Sequence, residues 1–226
     1  MNDNPLLNPI RIILLRHGLA DGQKGVMSAP VDADLSETGV SQAEMWAKAI
    51  SGFRIDVILS SDIKRCVTTA SIISGHTETK PTTDKRLREI DLGEFQGLTW
   101  DDINKRWPDA MKKRMADPEG FRPPGGESIK DAAIRLQMLL DELTGFPLGS
   151  NILAISHSAA IKLIIALTIG IPFRNIFCIE QDTAAISVLD YFNDGTYVLK
   201  HLNFLPQTTE QARAVLSKLL PLKKTA

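Results

Sequence analysis

Three short aliphatic runs separated by amphipathic patterns predict an α/β fold. The expected form is a three-layer sandwich: a mostly parallel central sheet, helices on both faces, and an antiparallel strand pair at one edge. Each run is nearly continuous in apolar residues, which marks strands covered on both faces. Between the runs, apolar residues return every three or four positions, the period of a helix buried along one side. A turn signal between two β-rich stretches near the C-terminus supplies the antiparallel pair.

Residues 10–15 (IRIILL), 56–59 (DVIL) and 151–155 (NILAI) are the three runs. Ser36 opens the first helix as its N-cap, with Leu35 and Val40 placed to pack across it. Ile63, Val67, Ala70 and Ile73 give the second helix, after Ser61 and Asp62. Ser128 and Asp131 have capping-box spacing ahead of Ile129, Ala132, Ala133, Leu136, Leu140 and Leu143. Another helix follows Ser158 through Ile161, Ile164, Ile165 and Ile169, stopping at Gly170 and Pro172. Residues 184–191 and 197–202 flank Asn193-Asp194-Gly195, the hairpin turn. From Glu210 onward a short exposed helix of little consequence is expected. Residues 92–127, rich in Gly, Pro, Trp, Asp and Lys, read as a small insertion capping the C-terminal strand ends. They lie within a single domain spanning 1–226.

That length allows a full hydrophobic core without disulfides or metal. With 26 basic and 27 acidic side chains, the chain lacks the basic surplus of a general nucleic-acid binder. Cys66 and Cys178 make no disulfide framework and no zinc motif, and are expected to be buried thiols in a reducing compartment. The N-terminus has acid where a secretion signal has lysine or arginine. Lys162 and Gly170 interrupt the longest apolar run before it reaches membrane-spanning length. A soluble, cytoplasmic protein with no membrane partner is the expectation.

In open α/β sheets, ligands bind beyond the carboxyl ends of the strands. The first run ends in Arg16-His17-Gly18. The second ends in Ser60-Ser61, with Arg65 one turn into the next helix, and the third in Ser156-His157-Ser158. Parallel strands put these endings on one rim and gather two imidazoles and two guanidiniums there. Such a cluster repels itself when empty, and a dianion is its natural complement. Guanidinium forks suit phosphate oxygens. Backbone N–H groups at the helix start after His157 would add to the field, and Gly18 lets the backbone approach a ligand.

Taken singly, each residue has a plainer role. A histidine after a strand is more often a hydrogen-bonded core residue than a catalyst, and Arg65 could pair with Asp62 or Glu89. Arg11 and Arg54 read as solvated charges, His76 and His201 as surface residues. A metal at His17 and His157 is disfavoured, since no carboxylate lies at ligand spacing and arginines repel a cation. Three strand ends on one rim raise the cluster above these readings.

Ile13-Leu14-Leu15-Arg16-His17-Gly18 resembles the signature of the histidine phosphatase superfamily, the phosphoglycerate-mutase-like fold. Five further segments are similar to family motifs in the same order. They begin with residues 34–43 (DLSETGVSQA) and 59–70, which contain Ser60, Ser61, Arg65 and Cys66. Residues 88–97 (REIDLGEFQG) follow, and then Gly125-Gly126-Glu127-Ser128 with Ile155-Ser156-His157. The resemblance implies that His17 is the nucleophile, forming a phosphohistidine. It further implies that Arg16, Arg65 and His157 hold the phosphoryl oxygens. Glu89 would protonate the leaving alkoxide and then activate water, carrying its proton mainly in the substrate complex. No cofactor and no metal are implied. Departures fall at the pocket mouth: Leu19-Ala20 replaces a common Glu-Thr or Glu-Ser pair, and Val26 stands near a frequent arginine. Gln23 replaces a frequent asparagine and Ser158 a glycine, and both are assigned to substrate binding.

Mutases of this family typically carry Arg-His-Tyr after the acid and a longer basic insertion. Here Ile90-Asp91-Leu92 follows Glu89. The resemblance therefore implies a phosphatase acting on a small phosphorylated metabolite, closest to the broad-specificity and α-ribazole-phosphate branch. The alternatives are a mutase-type phosphotransferase, a non-catalytic phosphate-binding module, and a serine hydrolase using Ser156 or Ser158 with His157. Against the last, the chain has no Gly-x-Ser-x-Gly elbow. Trp100, Trp107, Phe95 and Phe121 are expected to pack the insertion rather than line its entrance. Lys112, Lys113 and Arg114 are expected on a solvated helix face. Oligomeric state is left open, a homodimer being one option.

Overall fold

The computed structural model describes residues 8–22 and 32–223. Its strands are β1 (Ile10–Arg16), β2 (Val57–Ser60), β3 (Pro81–Thr83), β4 (Asn151–Ser156), β5 (Ile186–Tyr191) and β6 (Tyr197–Phe204). Its helices are α1 (Glu37–Ile50), α2 (Lys64–Ser74), α3 (Trp100–Arg106), α4 (Ala110–Ala116), α5 (Ile129–Leu143), α6 (Ser158–Ile169) and α7 (Thr209–Leu219). The strands form one sheet in the order β3-β2-β4-β1-β5-β6. The first four are parallel, while β5 runs antiparallel to β1 and β6 antiparallel to β5. The mixed sheet and its antiparallel edge match expectation. Strand β3 does not announce itself in sequence, because Pro-Thr-Thr is too short and too polar to show a pattern.

Side chains alternate across each strand, and this alternation makes two cores. Ile10, Ile12 and Leu14 share one core with Leu136 and Leu140 of α5 and Ile161 and Ile164 of α6. Ile13 and Leu15 share the other with Trp46 and Ile50 of α1, Ile73 of α2 and Leu216 of α7. The capping chemistry is as the sequence predicts for α1 and α5: Ser36 accepts from Gly39 N–H, and both halves of the Ser128–Asp131 box are made. Gly170, left-handed at φ +75°, closes α6. Helix α2 differs. Its N-cap is Ile63, with no side-chain cap.

Three expectations are corrected. Helix α7 is no exposed appendage, since Ala212, Leu216 and Leu219 are buried. The spacing 212, 216, 219 is the helical period that buries them. Arg11 is not a solvated charge: its guanidinium makes a two-pronged ion pair, 2.7 Å on each arm, with Asp190 directly opposite on β5. Cys66 is buried, but Cys178 is exposed.

Residues 92–127 form a cap with its own small core of Phe95, Ile103 and Ala110, packed by Leu92, Leu98, Trp100, Trp107 and Phe121. Trp100 and Trp107 pack the insertion as expected, while Phe95 and Phe121 pack it and also line a cavity beneath it. The chain enters and leaves the cap at a tight crossing, where a Cβ on Gly93 (φ +51°) would run into Pro124 O and Gly126 N. Only glycine satisfies both the backbone angle and that approach.

Candidate active site

In the parallel register Arg16 lies opposite Ser156, and Ser60 opposite Ile155, so the three strand ends share one rim. A cavity of about 260 Å³ opens between this rim and the cap. Arg16, His17, Arg65, Glu89 and Ser158 line its sheet side.

His17 is buried, with Nδ1 2.7 Å from Gly18 O. A carbonyl only accepts, so Nδ1 carries the proton and Nε2 keeps its lone pair. That lone pair accepts from Arg65 Nε–H at 3.2 Å. Burial, then the charges of Arg65 and Arg16, push the His17 pKa down to about 3. The ring is therefore neutral at physiological pH. Thr69 Oγ1 accepts from Gly18 N–H at 3.3 Å and Gln42 Oε1 from Leu19 N–H at 2.9 Å, which fixes the loop.

His157 is fully buried behind this wall, its ring edge-on to His17 with centroids 5.1 Å apart. Nδ1 lies 3.3 Å from Arg65 Nη2, which can only donate. Nε2 therefore carries the proton and donates to Ser61 Oγ at 2.9 Å, with Cys66 Sγ at 3.4 Å. Burial, then His17 and the arginines, hold the His157 pKa well below the usual range. Burial pushes the Cys66 thiol up.

Arg16 donates through Nη1 to Gln181 O at 2.7 Å. Its Nε is buried with no hydrogen-bond partner among the described residues, a donor that an incoming oxygen would satisfy. Burial lowers the pKa of Arg16 and of Arg65, and both remain charged. Asp62, a sequence candidate for pairing with Arg65, instead holds Arg88 through two contacts of 2.6 Å. Glu89 accepts from Ile90 N–H at 3.0 Å and from Ala160 and Ala159 N–H at 3.1 Å each. The amides at the start of α6, expected to face the anion, are thus turned toward Glu89. Ser158 Oγ reaches Gln181 O at 3.4 Å. Leu19 is half-buried, Ala20 is buried in a bridge to Leu35, and Gln23 and Val26 lie outside the described residues.

The cap side of the cavity is apolar, formed chiefly by Ile90, Leu92, Phe95, Phe121, Ile129 and Phe177. Phe95 and Phe121 thus serve both the cap core and the cavity wall. Lys112 and Lys113 are exposed as expected, but Arg114 is not. Its guanidinium lies over Trp100 at 5.3 Å and Phe177 at 5.2 Å, and it lines the cavity. Sequence reasoning missed Arg114, Phe177 and Ser61 as site residues. Arg114 sits in a basic triplet and Phe177 in a short 3₁₀ helix, Phe173–Cys178, so neither has a periodic signal, whereas Ser61 at a strand end was visible. Ser156 donates to Leu87 O at 2.7 Å, and the serine that touches His157 is Ser61, fully buried. A serine nucleophile beside this histidine therefore has no access to substrate. His76 is exposed; His201 is half-buried on β6 against Phe204.

A profile of the Histidine phosphatase superfamily (branch 1) matches residues 12–204. Phosphoserine phosphatase 1 of Hydrogenobacter thermophilus is 26% identical over 192 residues, 84% of this chain and 91% of that one. A Yersinia pestis protein named "Probable phosphoglycerate mutase GpmB" is 29% identical over 184 residues, 80% of this chain and 85% of that one. Among solved structures, mycobacterial glucosyl-3-phosphoglycerate phosphatase with VO3 is 29% identical, covers 87% of this chain and 100% of its own, and gives a TM-score of 0.76. The alpha-ribazole phosphatase of Shigella flexneri shares the fold at 23% identity and TM-score 0.77, covering 86% of this chain and 96% of its own.

Proposed function

Because this chain belongs to the histidine phosphatase superfamily, we propose that it is a phosphomonoesterase that hydrolyses a small phosphorylated metabolite through a phosphohistidine on His17. The observation that carries this reading is the His17 ring itself. It is neutral, its Nδ1–H is tied to Gly18 O, and its unprotonated Nε2 lies within a buried cationic wall, accepting from Arg65 Nε–H.

Nε2 attacks phosphorus while the bond to the leaving oxygen breaks on the opposite side, and Glu89 delivers a proton to that oxygen. Arg16 and Arg65 take the charge of the transferring group, with the open Nε of Arg16 as one donor. His157 backs Arg65 and completes the wall, and Ser158 stands at the substrate side. Water then attacks phosphorus, Glu89 takes its proton, the P–N bond breaks, and orthophosphate leaves with His17 restored. Three backbone amides hold Glu89 in one place for both proton transfers.

Hydrolysis is favoured over mutase chemistry by the cap. Retaining a bisphosphorylated intermediate demands a strong second cationic site, whereas the cap wall is apolar apart from Arg114. Glu127, also on the wall, is neutralised by Arg135 at 2.5 and 3.1 Å. The reading extends to one domain with residues 92–127 as its cap. It also extends to a cytoplasmic setting, which suits the two free thiols Cys66 and Cys178. Among the described residues, no helix is long and apolar enough to cross a membrane.

The test is turnover of 4-nitrophenyl phosphate and 4-nitrophenyl acetate by wild type and His17→Ala. Phosphate ester hydrolysis should fall roughly 10³-fold or more in the variant. Phosphate binding without turnover in wild type would favour a binding module. Acetate turnover surviving in His17→Ala would favour a serine hydrolase.

A further inference from the structure

Within the phosphatase reading, on which this inference rests, the cavity also limits what can leave. The described side chains on its wall offer no Asn, Gln, Thr or Tyr, and Ser158 is the one hydroxyl. A polyhydroxylated leaving group would lose its water partners there and gain few in return. A cavity of about 150 Å³ holds benzene. The 260 Å³ here thus suits a phosphoryl group with a body of about one ring.

One charge on the cap wall is unanswered. Arg114 is half-buried with its guanidinium over the rings of Trp100 and Phe177, and burial lowers its pKa. It makes no ion pair among the described residues. Both carboxylates on the wall are engaged elsewhere, Glu127 by Arg135 and Glu89 by three backbone amides. A partly desolvated cation without an anion is unfavourable, and a bound ligand's anion would relieve it. A single positive charge matches a carboxylate better than a second phosphate dianion.

We infer that the substrate is an acidic phosphomonoester: a phosphoryl group at His17, a compact apolar body along the Phe95–Phe121–Phe177 wall, and a carboxylate at Arg114. Arg114 is then the specificity residue, acting on the remote end of the substrate.

The test compares kcat/KM of the full chain for 4-carboxyphenyl phosphate, its neutral isostere 4-carbamoylphenyl phosphate, and glucose 6-phosphate. Wild type should favour the carboxylate over the carbamoyl ester by about tenfold or more. It should favour both over glucose 6-phosphate by about 100-fold. In Arg114→Met the carboxylate preference should fall to about one, with partial recovery in Arg114→Lys; turnover of the carbamoyl ester reports that each variant is folded. Turnover without carboxylate preference, or a preference that survives Arg114→Met, overturns the inference and leaves the phosphatase reading standing. No turnover of any ester by wild type overturns both.

Discussion

Glu89 closes the start of α6: its Oε2 accepts from Ala159 N–H and its Oε1 from Ala160 N–H, each at 3.1 Å. His157 is the N-cap by backbone geometry but makes no side-chain cap bond, so a residue 68 positions earlier in the chain supplies the cap instead. The proposed acid and the helix that follows the second histidine are one structural unit.

Replacing Glu89 should therefore harm both activity and stability. Glu89→Gln should lower kcat by about 10² to 10⁴ and destabilise by about 1 kcal/mol, Glu89→Ala by somewhat more. Urea unfolding alongside steady-state kinetics checks this. A Glu89→Ala variant as stable as wild type would show that the cap contributes nothing.

Acid should destabilise the chain in a defined window. His17 titrates near 3 when folded and near 6.5 when unfolded, and His157 is also held low. Below pH 6.5 the unfolded state binds more protons, so stability falls from about pH 6.5 toward 3, where folded His17 also protonates. His17 removes roughly 2 kcal/mol between pH 6.5 and 5, and His157 adds to the loss in the same direction. Urea titrations at pH 7 and pH 5 should show the loss, and His17→Asn should recover part of it. Equal sensitivity in both proteins would count against a buried neutral His17.

Arg65 touches both histidines, through Nε to His17 and Nη2 to His157. Arg65→Met should lower kcat by roughly 10² to 10³, and Arg65→Lys should recover little, because one ammonium lacks the fork. In Arg65→Met the His17 ring should titrate at higher pH by NMR, since a charge that opposes its protonation is gone.

Arg11 and Asp190 stabilise the sheet far from the rim. Arg11→Met should destabilise by about 3 kcal/mol, because it leaves a carboxylate only 4% exposed without its partner. Adding Asp190→Leu should restore much of that loss. Thermal unfolding of the two variants decides it, with kcat close to wild type in both.

Three of the four parallel strands were legible because burial in the sheet writes short aliphatic runs. The rim was legible because parallel direction puts their ends together. Arg16, His17, Arg65 and His157 needed nothing more to be gathered at one rim, whereas Glu89, which follows no strand of that set, was assigned only through the family resemblance. What sequence hid was contact that depends on side-chain direction: Arg11 reaching Asp190 across a strand pair, and Ser61 turning to His157. Arg114 was hidden for a related reason. In a run of Lys-Lys-Arg on a seven-residue helix, nothing in the spacing says which cation turns inward.

The central claim is a covalent phosphoryl group on His17, and rapid-quench trapping with a ³²P-labelled aryl phosphate tests it most directly. The account predicts a label that survives alkali, is lost in acid, maps to the peptide holding His17 and is absent in His17→Ala. Steady turnover with no labelled histidine, or label on another residue, would contradict it.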